Sequence, residues 1–151
     1  MERSADVQWS GNLKEGQGFI STQSHVLEKV GYGFSTRFEG KPGTNPEELI
    51  AAAHASCYAM ALTVALQEIG FIPKSIHTEA RVTLLKEGPV YRISASHLCV
   101  EAVVPGLDTA QFTPIAEHAK RECPISKLMD AQVSLEAKIL TNERQYPLAS
   151  P

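Results

Sequence analysis

The chain has 151 residues, a formal net charge of −3 and three cysteines. This length suits one domain with a core of its own, so we expect a single domain over 1–151. The nearly balanced charge, without a basic stripe, argues against nucleic acid as a partner. The first residues lack the apolar run of a secretory signal, and the odd, widely spaced cysteines favour a reducing compartment, so a cytoplasmic protein is predicted.

The first strands are predicted from alternating apolar and polar residues that glycines interrupt. Residues 7–11 and 18–23 are expected to form a β-hairpin, and residues 26–30 a short third strand. From 31 to 44, glycines surround three aromatic residues and the cation Arg37, which predicts a loop. Loops often carry functional groups, so Arg37 becomes a candidate site residue.

A long helix is predicted over residues 45–70. Asn45 suits the N-cap, Pro46 suits the first helical position, and Gly70 supplies the end. Polar positions between these residues are too few to cover a solvent-facing side, so we expect this helix to be buried nearly all round. The apolar run approaches the length of a membrane span, but its His54 and many small residues favour a core helix, with no membrane partner.

The second half of the chain predicts a hairpin, a helix and a last strand. The elements are strands over 75–85 and 91–104, a helix over 108–122, a short helical turn to Met129 and a strand over 132–140. The tail, 141–151, has little apolar content and is predicted to be mobile. This order of elements predicts an α+β fold with a mostly antiparallel sheet.

Two cysteines are candidates for chemistry. Cys57 lies inside the apolar helix, where a cysteine is either an inert core residue or a thiol kept in a dry pocket. Cys123 precedes Pro124, which places it near a helix N-terminus, where unpaired N–H groups and the helix dipole stabilise a thiolate. Such a pair can cycle through sulfenic acid and disulfide. Cys99 lies in an alternating strand and is expected to pack in the core.

Arg37 and Glu47 form a second group. Arg37 either lowers the pKa of a thiol or is a solvated loop charge, whereas Glu47 complements the helix dipole whatever its function. Glu47 and Cys57 are ten residues apart, which is roughly 15 Å along a helix, so they cannot share a site within it. If both serve one site, a second copy of the chain must supply one of them. The spacing therefore predicts a homodimer with sites at the interface.

The histidines leave two further hypotheses open. His54 precedes Cys57 by three residues, so it is either part of a Cys–His nucleophile pair or a hydrogen-bonded interior histidine. A hydrolase of this kind lacks an evident orienting acid. Together with His118 and Cys123, the same two residues make a set that zinc accepts, although the spacings are not those of a tight zinc knuckle.

Three ordered motifs give the chain a family resemblance. They are Tyr-Gly-Phe-Ser-Thr-Arg-Phe-Glu-Gly from Tyr32, Gly-Thr-Asn-Pro-Glu-Glu-Leu-Ile-Ala-Ala-Ala-His-Ala-Ser-Cys from Gly43, and Cys-Pro-Ile-Ser from Cys123. Over residues 7–140 the chain closely resembles the OsmC/Ohr family of osmotically inducible and organic hydroperoxide resistance proteins, and the OsmC branch in particular. The resemblance implies an intertwined α+β homodimer, in which sheets wrap around long central helices, and thiol-dependent peroxidase activity without metal or haem.

The resemblance also implies roles for individual residues. Cys57 matches the peroxidatic cysteine, Cys123 matches the resolving cysteine, and Arg37 and Glu47 match the ion pair that activates the thiol. The implied reaction reduces a hydroperoxide to an alcohol through a Cys57 sulfenic acid and a Cys57–Cys123 disulfide, in defence against oxidative and osmotic stress. An external dithiol of the lipoyl type is the implied reductant, and no bound cofactor is expected.

The expected substrate pocket is apolar. Phe34, Phe38 and Met60 are its predicted residues, and they favour an alkyl or lipid hydroperoxide over hydrogen peroxide. Two other functions would use the same cysteines and histidines without turnover. One is a redox sensor that forms the same disulfide, and the other is a zinc- or ligand-binding module.

Overall fold

The computed structural model of the chain describes residues 1–142. Its elements are β1 (Ala5–Ser10), β2 (Gln17–Thr22), β3 (Val30–Gly33), α1 (Phe34–Phe38), α2 (Pro46–Glu68), β4 (Ser75–Glu87), β5 (Val90–Val103), α3 (Thr109–Glu122), α4 (Pro124–Leu128) and β6 (Gln132–Ile139). These elements confirm the predicted α+β class. Most of the predicted mobile tail, residues 143–151, lies outside the described residues.

The chain divides into two compact units, residues 1–49 and residues 50–151. The prediction of one domain over 1–151 stays a prediction. The first unit contains an antiparallel sheet in the order β1-β2-β3, so the predicted hairpin is confirmed. The third strand begins at Val30, because the chain turns between Thr22 and Leu27. There the Leu27 N–H donates to Thr22 Oγ1 (3.1 Å), and His25 and Lys29 have positive φ angles of 60° and 51°.

Part of the predicted loop over 31–44 is helical. The helix α1 has five residues, and the Gly33 N–H at its start donates to Thr36 Oγ1 at 3.1 Å. Its C-cap is Glu39, and the chain then passes through Gly40, which has a φ of 68°. A helix of little more than one turn leaves no apolar periodicity, so the glycines around it dominated the prediction.

The boundaries of the long helix α2 are close to those predicted. The Glu48 N–H donates to Asn45 Oδ1 at 2.9 Å, which makes Asn45 the expected N-cap, and Gly70 has the positive φ (86°) of a helix end. By length and composition alone, α2 is apolar enough to cross a membrane, yet only 28% of its most apolar stretch is buried. The chain therefore covers only part of the apolar surface of this helix.

The prediction that this helix is buried nearly all round is wrong for the single chain. The buried side chains recur about once per turn, on one stripe, and they are His54, Tyr58, Leu62, Ala65 and Leu66. On the other side, Met60 is 72% exposed and Val64 is 53% exposed. The described elements of this chain bury one face of the helix. Apolar side chains on the opposite face remain exposed to water.

The second unit contains a sheet in the order β4-β5-β6. The strands β4 and β5 form the predicted antiparallel hairpin around Gly88, whose φ is 62°. The last strand pairs parallel to β5, which differs from the three antiparallel pairings elsewhere in the described residues. A parallel partner requires a crossover, and α3 and α4 supply it.

The core of the second unit contains the buried stripe of α2, the inner face of β5 and one face of α3. Tyr58 is fully buried at its centre, and its hydroxyl donates to the carbonyl oxygen of Ala116 on α3 at 3.1 Å. The α3 helix begins where it was predicted, because the Asp108 side chain accepts from the Gln111 N–H at 2.8 Å. This packing holds the middle of α2 against α3.

The prediction that Cys99 packs in the core is wrong. Leu98 and Val100, its neighbours in β5, are buried with 0% and 2% exposure. Alternation along a strand then directs Cys99 to the opposite face of the sheet, where it is half-buried. The sequence carried this signal, because His97 and Glu101, two residues before and after Cys99, share its face and are polar.

His54 is the buried polar group of α2. Its exposure is 0%, its Nδ1 lies 2.7 Å from Ser96 Oγ on β5, and its Nε2 lies 2.9 Å from Ser126 Oγ on α4. Of the two interpretations of this histidine, the structure supports the hydrogen-bonded interior one. Because burial disfavours the imidazolium, the pKa of His54 is lowered from its ordinary value of 6.5.

This burial predicts a pH-dependent stability. Below pH 6.5 the unfolded chain binds a proton at His54 that the folded chain takes up only at lower pH, so the free energy of unfolding falls on acidification. We expect the loss of stability between about pH 7.5 and about pH 5.5 to be smaller in His54→Gln, whose amide hydrogen-bonds without titrating. Urea unfolding at both pH values measures it.

The matched control is His118→Gln, which removes an exposed histidine of α3. It is expected to keep the wild-type difference between the two pH values. An equal pH dependence in His54→Gln and the wild type would contradict the assignment of this effect to His54.

Candidate active site

The second unit brings Cys57 and Cys123 together. Cys57 lies on α2, one turn after His54, and is half-buried, whereas Cys123 is completely buried between the end of α3 and the start of α4. The Cys123 thiol is a close enough neighbour to raise the pKa of Cys57, and both are free thiols. A disulfide bond needs about 2.05 Å between the sulfurs, so an oxidant that removes two hydrogen atoms, together with a short approach of the two groups, would form one.

The backbone of Ile125 supplies a third group. Its N–H is hydrogen-bonded to the Cys57 sulfur, which favours the thiolate. Because Pro124 stands at the first helical position and has no N–H, Ile125 provides the first unpaired donor of α4. The N–H donor that is expected at a helix start is therefore present, but it donates to Cys57 and not to Cys123. Cys123 itself makes no capping hydrogen bond with its side chain.

Two effects oppose the Ile125 donor at Cys57. The larger effect is removal of the thiol from water, and the smaller is the neighbouring Cys123 thiol. Together they raise the pKa of Cys57 above its ordinary value. A thiol of this kind is mostly protonated at neutral pH, and its ionisation needs a further positive group. Sequence reasoning found both cysteines but missed Ile125, for which the Cys-Pro-Ile order was the available signal.

Arg37 and Glu47 form an ion pair within the first unit. The guanidinium of Arg37 holds the carboxylate with two atoms, Nη2 at 2.7 Å from Oε1 and Nε at 3.1 Å from Oε2. The Arg37 side chain is 32% exposed and that of Glu47 is 14% exposed, and the guanidinium also lies 5.1 Å from the ring centre of Phe38. A two-point contact of this kind fixes the orientation of the guanidinium. The role of the pair in thiol activation stays a prediction.

The three predicted pocket residues come from different units, Phe34 and Phe38 from the first and Met60 from the second. Phe34 and Phe38 contact each other on α1, with ring centres 4.9 Å apart. Met60 lines a shallow groove between α2 and β4 with Ala59, Val64 and Ile76. The joint use of these residues for a substrate stays a prediction.

The hydrogen bonds of His54 argue against the hydrolase and the zinc site, the two alternatives that depend on this residue. Both ring nitrogens are occupied by serine hydroxyls, so neither is positioned to take a proton from Cys57. For the same reason His54 is not available as a metal ligand beside Cys57. A hydrolase, or a zinc site of His54, Cys57, His118 and Cys123, would require these serine contacts to break.

Comparison with known proteins identifies the family of the chain. A family model described as OsmC-like protein matches residues 38–138. The chain is 45% identical over 139 residues to peroxiredoxin OsmC of Escherichia coli, which covers 92% of this chain and 97% of that protein. It is 31% identical over 88 residues to an organic hydroperoxide resistance protein of Xanthomonas axonopodis, which covers 58% of this chain and 60% of that protein.

Solved structures share the fold. The organic hydroperoxide resistance protein OhrB of Bacillus subtilis superimposes with a TM-score of 0.68 at 26% identity, covering 91% of this chain and 98% of its own. An OsmC-like protein of unknown function from Vibrio cholerae superimposes with a TM-score of 0.72 at 19% identity, covering 91% and 99%. The family model and the Escherichia coli relative span most of the chain, and the chain therefore belongs to the OsmC-like family.

Proposed function

We propose that this protein is a thiol-dependent peroxidase that reduces organic hydroperoxides to alcohols, in defence against peroxide and osmotic stress. The observation that carries the proposal is that two free thiols, Cys57 and Cys123, are neighbours in the folded chain. The names of the relatives, a peroxiredoxin and an organic hydroperoxide resistance protein, support it. Reaction at paired thiols needs no bound cofactor.

The reaction has two steps at the cysteines. The Cys57 thiolate attacks one oxygen of the hydroperoxide, the O–O bond breaks, and the alkoxide takes a proton and leaves as the alcohol. Cys57 is then a sulfenic acid. The Cys123 thiol attacks its sulfur and water leaves, which forms the Cys57–Cys123 disulfide. A dithiol, for which a lipoyl group is our candidate, returns both thiols by exchange and is oxidised to its own disulfide.

The order of these roles follows from exposure. Cys57 is half-buried and so offers a surface that a hydroperoxide can reach, whereas Cys123 has 0% exposure and contacts Cys57 from the protein side. The attacking thiol must meet substrate, and the resolving thiol need only meet Cys57. Cys57 is therefore the peroxidatic residue of the proposal and Cys123 the resolving one.

A cation completes the proposed site. Burial and Cys123 raise the pKa of Cys57, and the Ile125 N–H opposes them only in part. Arg37 is the candidate for the missing positive group, and Glu47 orients its guanidinium. Glu47 and Cys57 are ten residues apart on the continuous helix α2, about 15 Å at 1.5 Å per residue, so a second chain is the natural source of this pair.

A homodimer also accounts for the apolar side of α2. Met60 and Val64 are 72% and 53% exposed in the single chain, and a second copy is the cover that the family resemblance implies. The proposal is therefore a cytoplasmic homodimer with its sites at the interface. Apolar groups such as Met60, Phe34 and Phe38 favour an alkyl or lipid hydroperoxide as substrate, with hydrogen peroxide as the less suited alternative.

The first test is peroxide consumption. Reduced protein with an excess of dithiol is expected to consume cumene hydroperoxide faster than hydrogen peroxide, and Cys57→Ser is expected to lower the rate to that of the dithiol alone. Cys99→Ser, the matched control, changes a cysteine on the other face of β5 and is expected to keep the wild-type rate in metal-free buffer. A slow wild type that still forms the disulfide would favour the redox sensor instead.

The resolving step has its own signature. One equivalent of hydroperoxide, without dithiol, is expected to remove two hydrogen atoms from the wild-type chain, because the disulfide forms. In Cys123→Ser the sulfenic acid has no neighbouring thiol, so the chain is expected to gain one oxygen atom and to react with dimedone. Intact-chain mass spectrometry distinguishes the two products, and a two-hydrogen loss in Cys123→Ser would assign the resolving role elsewhere.

The shared site can be tested by mixing inactive chains. We expect Arg37→Ala and Cys57→Ser homodimers each to be inactive. Co-expression with two different affinity tags gives mixed dimers, in which one Cys57 meets an intact Arg37 from the other chain, and their activity is expected to return.

If Arg37 served the Cys57 of its own chain, mixed dimers would stay inactive. Light scattering establishes that the purified species is a dimer, and a fully active monomer would contradict the shared site. Arg37→Lys serves as the conservative comparison, since lysine keeps the charge but loses the two-point contact with Glu47.

A further inference from the structure

The outer face of the β4-β5-β6 sheet carries a cluster of ligating side chains that the proposed reaction does not use. Cross-strand pairing places Glu79, Cys99 and Glu136 in one row, and Arg81, His97 and Ser134 in the next. We call these six residues the outer cluster. It lies on the face opposite Leu98 and Val100, so it is separate from the core.

Three atoms of the outer cluster converge. A ring nitrogen of His97, Sγ of Cys99 and a carboxylate oxygen of Glu136 all lie within 4.8 Å of one another. Around a tetrahedral zinc ion, with bonds of about 2.0–2.3 Å, ligand atoms lie about 3.3–3.8 Å apart. Small side-chain rotations would therefore close the three atoms onto one ion. We propose that His97, Cys99 and Glu136 bind Zn²⁺.

Neighbouring residues orient the side chains of these ligands but do not contact all of their donor atoms. Ser134 Oγ lies 2.6 Å from His97 Nδ1, a contact that orients the ring as hydrogen bonds orient histidine ligands in metal proteins. The Lys138 ammonium contacts Oε1 of Glu136 at 2.7 Å, which leaves Oε2 for a metal. Cys99 is a half-buried free thiol.

The donor set selects the metal. One imidazole, one thiol and one carboxylate form a mixed set that suits zinc, whereas magnesium and calcium prefer oxygen ligands alone. Water takes the fourth position. Cys99 binds as the thiolate and releases its proton to solvent, so the thiolate and the Glu136 carboxylate balance the charge of the ion.

Glu79 and Arg81 form the border of the site. Glu79 stands opposite Cys99 across the strands, but the Arg81 guanidinium holds its carboxylate through two contacts of 2.9 Å and 2.8 Å. This pairing leaves three protein ligands for the ion. It also offsets the repulsion between Arg81 and a bound cation.

Binding would connect two strands. His97 and Cys99 belong to β5, and Glu136 belongs to β6, the last strand of the described residues. An ion between them stabilises the folded chain by mass action, and it removes the Cys99 thiol from oxidation and disulfide exchange. Zinc at this site would thus leave Cys57 and Cys123 as the thiols that meet peroxide.

Cobalt titration of the reduced full-length chain tests the proposal, because Co²⁺ reports a bound thiolate by charge-transfer absorption in the near ultraviolet. We expect one equivalent per chain, in a four-coordinate spectrum that zinc displaces. The absorption is expected to disappear in Cys99→Ser and to remain in Cys57→Ser. The reverse result would place the metal at the catalytic thiols and overturn the proposal.

Affinity for zinc provides the second readout. His97→Ala and Glu136→Gln are each expected to weaken zinc binding at least about tenfold. Loss of a residue that only hydrogen-bonds to a metal ligand already lowers metal affinity by this factor, and loss of the ligand itself should lower it at least as much. His118→Ala, a matched histidine change on the exposed side of α3, is expected to bind as the wild type does. Unchanged affinity in His97→Ala, or no cobalt–thiolate absorption in the wild type, would refute the site.

Discussion

Packing of one stripe of α2 against β5 and α3 is the constraint on which the thiol site depends. Tyr58 is fully buried beside Cys57, and its hydrogen bond to the carbonyl oxygen of Ala116 holds α2 against the helix that ends at Cys123. One turn earlier, His54 connects the same helix to β5 and α4 through two serines. Cys57 and Cys123 are neighbours because the buried contacts of Tyr58 and His54 hold α2 against α3 and α4.

The same packing explains why reactivity needs an additional group. Burial brings the thiols together, yet it also raises the pKa of Cys57 and so disfavours the thiolate. The backbone N–H of Ile125 compensates for part of this effect. A positive group would favour the thiolate of such a site, and this is the role that we propose for Arg37, with Glu47 as its partner.

Local signals were enough to predict most elements. Asn45, Gly70 and Asp108 have side chains or backbone angles that define helix ends within a few residues, and those boundaries agree with the structure. The helix α1 was missed because its five residues carry no period. The parallel pairing of β6 was not predicted, since pairing depends on the path through space.

The site was predictable in its residues but not in its geometry. The Cys-Pro order indicated a helix start at Cys123, but only the folded chain shows that Ile125 directs its N–H to the other cysteine. Cys99 lies on the outer face, as the polar neighbours on that face, His97 and Glu101, indicate, and the prediction that it packs in the core gave these neighbours too little weight. The extent of α2 burial also depends on which elements cover it. Composition does not show whether those elements belong to the same chain or to a second one.

The parallel pairing of β6 with β5 has a consequence for biosynthesis. Cys57 belongs to a helix that leaves the ribosome early, whereas Cys123, Ile125 and Ser126 precede the final strand. Until α3, α4 and β6 have been made and have crossed over the sheet, the Cys57 thiol lacks its neighbours and His54 lacks Ser126. A nascent chain without these elements therefore presents a Cys57 that lacks the Cys123 and Ile125 neighbours of the folded chain.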